Sequence, residues 1–151
     1  MVVTALIIGI CLFLFVYWFR STVILIQRTG WKGSYARSIA SANQLSFVGV
    51  KDQLHGQAPD NDLPNLFQAL QRDYKVLTYL LGHAAIQAGS YTTEQRILML
   101  NFRLMGLWFS AIRRLRPAHA KLALLEMSGT LEYFANVMGH RFATLAAASG
   151  R

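Results

Sequence analysis

Apolar positions are unevenly distributed along this chain. From Val2 to Phe19 no charged residue occurs, and apolar side chains fall on every side of any helix drawn through the stretch. A helix of these 18 residues reaches about 27 Å, close to the hydrocarbon thickness of a bilayer. A cleaved secretion signal would carry a basic segment, a shorter apolar core and a small-residue cleavage site. Here no Lys or Arg precedes the run, and it closes on Tyr17, Trp18 and Phe19. A single transmembrane helix is therefore expected. A buried soluble helix fits less well, because it would have to be covered on all sides.

The flanks of the run predict its direction. Arg20, Arg28, Lys32 and Arg37 follow the span closely. The positive-inside rule then places the N-terminus outside and the rest of the chain in the cytoplasm, as in a bacterial-type inner membrane. Tyr17 and Trp18 suit the aromatic belt at the inner interface. Thr22 to Ile26 continues the helix as a stalk until Thr29-Gly30 ends it. Arg20 marks the boundary, its guanidinium reaching back to the head groups or meeting an acidic group of a partner. Residues 1–28 thus read as anchor helix and juxtamembrane stalk.

Behind the anchor the pattern changes. Residues 29–62 are rich in Gly, Ser and polar residues and read as a linker. A short helix could form over 35–49, with Ile39, Leu45 and Val48 partly buried. Residues 55–62 (HGQAPDND) read as a loop. Periodicity then sets in. With Asp62 as N-cap and Pro64 in the first turn, Leu63, Leu66, Phe67, Leu70, Tyr74, Leu77, Leu81 and Ala84 form one stripe, which Gly89 ends.

A second helix is expected from Thr92, with Gln95 completing a capping box, to Arg116 before Pro117. Arg96, Arg103, Ser110 and Arg114 share one narrow face of it. Ile97, Leu98, Leu104, Trp108, Phe109 and Leu115 spread over half the circumference, so this helix touches two neighbours or lies against a partner or membrane. Asn101 falls on the apolar side and needs a hydrogen-bond partner if buried. A third helix runs from Pro117 to about Ala147, with Leu124, Met127, Leu131, Phe134, Met138, Phe142 and Leu145 at near-heptad spacing. Strand signals are absent. The expected fold is all-α: one N-terminal transmembrane helix followed by a small antiparallel three- to four-helix bundle over 63–148.

Composition sharpens this division. Of the first 28 residues 21 are apolar, against about half of the remainder, which is the usual globular share. Mean hydropathy is +0.31 and pI about 10.2. The net charge of +8 calls for an anionic partner, phospholipid or nucleic acid. The dense basic cluster Arg113, Arg114, Arg116 and Lys121 sits where two helices meet. Its cations complement a helix C-terminus and would also face anionic phospholipid. Nucleic acid is not expected, because the aromatics lie on apolar faces rather than among the basic residues.

Catalytic chemistry finds no footing. The one cysteine, Cys11, lies in the apolar run, which excludes an internal disulfide or a cysteine metal cluster. His55, His83 and His119 lack partners at ligand spacing. Glu126, Glu132 and His140 do not make the Glu-x-x-His pairs of a di-iron bundle. No Gly-x-Ser-x-Gly or phosphate loop occurs. No catalytic, cofactor-binding or metal residue is assigned, and no cofactor is expected. Glu132, Asn136 and His140, spaced by four on the face opposite the apolar stripe, are either a solvated face or a patch read by a partner.

Three roles follow. A non-catalytic accessory or scaffold subunit of a larger inner-membrane complex, with a bioenergetic assembly a natural host, suits these features best. Its partners would be other membrane protein subunits and anionic phospholipid. The alternative is a self-contained tethered adaptor or sensor with a groove around Trp108. A membrane enzyme comes third.

Overall fold

The computed structural model describes residues 1–29, 35–56, 59–88 and 92–149. Among these residues it is all-helical, with six α-helices and no strand. They are α1 (Val2–Thr29), α2 (Tyr35–Ala42), α3 (Phe47–His55), α4 (Leu63–Ala88), α5 (Thr93–Ile112) and α6 (Pro117–Ser149), with a 3-10 turn at Asp60–Asp62 before α4. The chain divides into two compact units, residues 1–30 and 31–151.

The first unit is α1. Val2–Gln27 is long and apolar enough to cross a membrane, with a mean hydropathy of 2.6 over its most apolar window. It is one continuous helix because nothing breaks it: Gly9 sits where no neighbouring atom approaches, and Thr22 returns its hydroxyl to the Trp18 carbonyl at 2.9 Å. Tyr17, Trp18 and Arg20 are exposed.

The second unit is organised around α6, a helix of 33 residues, about 50 Å long. Helices α2, α3, α4 and α5 all pack on it. Leu124, Met127, Leu131, Phe134 and Met138 are buried as the spacing predicts. So are Ala120, Ala123, Ser128, Thr130, Ala135 and Gly139, so α6 is enclosed on several sides rather than along one stripe. The buried hydroxyls return to their own helix, Ser128 to the Leu125 carbonyl at 2.7 Å and Thr130 to the Glu126 carbonyl at 3.2 Å. Phe142 and Leu145, expected in the stripe, are exposed. The burial stops at Gly139.

The linker expectation for 29–62 needs the largest revision. Residues 35–55 form two helices rather than one, and both pack on α6. The break lies at Asn43–Ser46, where Gln44 takes a left-handed φ of 51°. Ile39, Leu45 and Val48 are half-buried as expected, but the deep anchors are Ala36, Ala40, Phe47, Val50 and Leu54. The carboxylate of Asp73 on α4 starts α3: its Oδ2 accepts the Ser46 amide at 2.6 Å and the Phe47 amide at 2.7 Å. Two amides that a helix start leaves unpaired are thus satisfied from a different helix.

Glycine sets the α2–α6 approach. A Cβ on Gly139 would overlap the Cβ and Cγ of Tyr35, so only glycine lets α2 come this close. Helix α5 opens with the expected capping box: Thr92 Oγ1 accepts from Gln95 N at 3.4 Å, and Gln95 Oε1 accepts from Thr92 N at 3.1 Å. It ends at Ile112, four residues earlier than the pattern suggests.

Candidate functional site

Helices α4 and α5 both lean on α6, and they meet each other through aromatic rings. Phe67 stacks on Phe109 with centroids 4.6 Å apart, and Tyr74 on Phe102 at 4.1 Å. Offset stacking of this kind adds about 1 kcal/mol per pair beyond burial. Because rings rather than short side chains set the spacing, a groove of about 830 Å³ is left between the two helices. Its walls include Phe67, Tyr74, Phe102 and Leu107, and Met127 of α6 lines it from below. Gly106 contributes no side chain, and a Cβ there would stand 3.5 Å from the Phe67 ring.

The polar lining is one-sided in charge. Lys75 and Arg103 are exposed at the rim, and no acidic residue lines the groove among the described residues. The Thr78 and Ser110 hydroxyls are committed to backbone, Thr78 to the Tyr74 carbonyl at 2.7 Å and Ser110 to the Gly106 carbonyl at 3.0 Å. The groove therefore offers an aromatic and apolar surface with a cationic edge. Such a surface suits an elongated apolar ligand carrying negative charge, above all an amphipathic helix.

A second, smaller cleft of about 240 Å³ lies at the start of α5. Tyr133, buried in its wall, donates to Glu94 Oε2 at 2.9 Å. Burial first, then the hydrogen bond to Glu94, hold the Tyr133 hydroxyl well above its usual pKa. His140 and Arg141 are also in its lining. Among the described residues no three His, Cys, Asp or Glu side chains converge to hold a metal ion.

The residues singled out from the sequence are not one site. Trp108, Arg113, Arg114 and Arg116 are exposed at α5 and the turn after it. Glu132 and Asn136 face α3 and α2. Glu132 pairs with Lys51 at 2.6 Å, and Asn136 Oδ1 accepts the Ala36 amide at 2.8 Å at the start of α2. That patch is engaged by the chain's own helices, and His140 lies one turn on, in the smaller cleft. Arg37 is exposed on α2, while the Arg28 side chain and Lys32 lie outside the described residues. Asn101 is buried; its Nδ2 donates to Glu126 Oε1 at 3.2 Å, while its Oδ1 has no hydrogen-bond partner among the described residues.

Sequence reasoning missed the groove itself. Phe67 and Tyr74 read as core, yet each is half-buried. Gly106 in mid-helix, facing an aromatic stripe, was the available signal.

No protein family model matches this chain, and neither a curated protein nor a solved structure shows significant similarity to it.

Proposed function

We propose that this protein is a non-catalytic accessory subunit of a larger membrane protein complex. In this reading α1 is its single membrane anchor, and the α4–α5 groove holds an amphipathic helix of a neighbouring subunit. The groove is the observation that carries it: an apolar trough with Lys75 and Arg103 at its rim and no acid in its lining. The occupant is expected to be apolar on one face with acidic residues flanking it. The excess of basic residues after the anchor supports an N-terminus outside and a cytoplasmic C-terminal unit, in a membrane of the bacterial inner type. The short links joining α4, α5 and α6 favour an antiparallel bundle as the rigid carrier of the groove.

The test is particle size after gentle extraction of native membranes. The intact chain is expected in a particle much larger than its own 17.0 kDa plus detergent. The Lys75→Glu/Arg103→Glu variant should leave it and run alone while keeping its helicity. A wild-type chain that runs as a monodisperse monomer would refute this function.

A further inference from the structure

The outer face of α5 is apolar and uncovered. Leu100, Leu104, Leu107, Trp108 and Leu115 are between 42% and 81% exposed. At 100° per residue Leu100, Leu104, Leu107, Trp108 and exposed Ala111 fall in one sector of about 100°, and Leu115 follows in the turn after the helix. From Leu100 to Ala111 the stripe is about 17 Å long. Its helix buries the opposite side, with Leu98, Phe102, Phe109 and Ile112 in the core. The face is therefore a second apolar surface, distinct from the packed one, and it is larger than scattered exposed residues account for.

Charge says what covers it. Arg103 borders the sector on one side, and Arg113, Arg114 and Arg116 cluster beside Leu115 in the turn after the helix. All four are exposed, and Glu94, in the first turn, is the only acidic residue of α5. A second copy of the same face would bring arginine against arginine, so self-pairing is disfavoured. A leucine stripe with an interfacial tryptophan and bordering arginines is the composition of helices that lie in the plane of an anionic bilayer. There the apolar sector enters the head-group boundary while the guanidinium groups stay at the phosphates. The same chain carries a helix apolar enough to span a bilayer, which would keep such a surface within reach.

We infer that the Leu100–Ala111 face of α5, with Leu115 in the turn after it, rests on an anionic phospholipid surface, held there by Arg103, Arg113, Arg114 and Arg116. This rests on the reading of α1 as a membrane span and adds a second, peripheral contact with the bilayer. That contact shares Leu107 and Arg103 with the wall and rim of the α4–α5 groove, whereas Leu100, Leu104, Trp108 and Leu115 lie outside that lining.

Site-directed spin labelling of the full chain in proteoliposomes tests it. Cys11 is the one cysteine, so the wild-type chain labelled there reports on α1. A Cys11→Ala/Leu104→Cys chain labelled at 104 reports on the α5 face. In phosphatidylglycerol-rich vesicles the 104 label should be open to oxygen and shielded from an aqueous nickel chelate. In pure phosphatidylcholine it should return to water, and Arg113→Gln/Arg114→Gln/Arg116→Gln should return it to water in the anionic vesicles also. A 104 label that stays in water in anionic vesicles, with the Cys11 label deep in the bilayer, overturns the inference and leaves the span standing. Shielding that ignores lipid charge but rises with protein density points to a protein on that face and equally overturns it. A Cys11 label in water overturns the span reading, and the inference with it.

Discussion

Gly139 is the residue that most tightly couples sequence to packing. Its missing Cβ is the space that Tyr35 occupies, so Gly139→Ala forces α2 away from α6. Overpacking of this kind costs about 1–3 kcal/mol. Gly49, in the middle of α3, faces nothing within 4 Å, so the same change there should raise stability by about 0.5–1 kcal/mol. Thermal unfolding of the two variants in detergent, followed by helicity, should therefore move in opposite directions. Asp73 is the other decisive residue. Removing its carboxylate in Asp73→Ala leaves the Ser46 and Phe47 amides unpaired, with an expected cost of about 1–3 kcal/mol. Its pH behaviour has a definite sign. Burial, only partly offset by the two amides and Arg72, raises the Asp73 pKa above its usual 3.8. The folded state then keeps the proton to a higher pH than the unfolded chain does. Its contribution to stability is greatest below 3.8 and declines as pH rises through the folded value. Asp73→Asn, which keeps an acceptor oxygen, should flatten that decline. Melting curves over an acid-to-neutral series read the difference directly.

At the scale of elements, the sequence was most legible where large apolar residues recur. The ends of α4, the capping box of α5 and the start of α6 at Pro117 all fall where periodicity and caps place them. It was least legible where small residues do the packing. Ala36, Ala40, Ala120, Ala123 and Gly139 are buried, yet Ala and Gly carry little hydrophobic signal. For this reason α2 and α3 looked like linker and α6 looked one-sided. Asp73 hid for a related reason: a carboxylate in a helical stripe reads as surface until the helix it caps is in view. The groove was not legible: Trp108, Arg113, Arg114 and Arg116 are exposed but do not line it, and it arises from aromatic spacing across two helices, which no single-helix pattern records. Filling it is a direct element-scale test. Gly106→Leu projects a side chain beside Phe67, and should leave helicity near wild type while shrinking the native particle to that of the chain alone.

At the scale of the molecule, one helix fit to span a bilayer precedes a helical unit whose exposed surface is basic and in places apolar. Topology is set by Arg20, Arg28, Lys32 and Arg37 in this reading. Neutralising all four should give mixed orientations, reported by accessibility of single cysteines placed on either side of α1; a uniform orientation would count against the assignment. On the proposed function, the α4–α5 groove docks a helix of a neighbouring membrane subunit. Photo-crosslinking tests it most directly, with the reactive group at Gln71, an exposed residue of the groove wall. In native membranes it should trap one discrete membrane protein, and Lys75→Glu/Arg103→Glu should abolish the adduct. No discrete adduct at Gln71, or one untouched by the charge reversal, would contradict the claim.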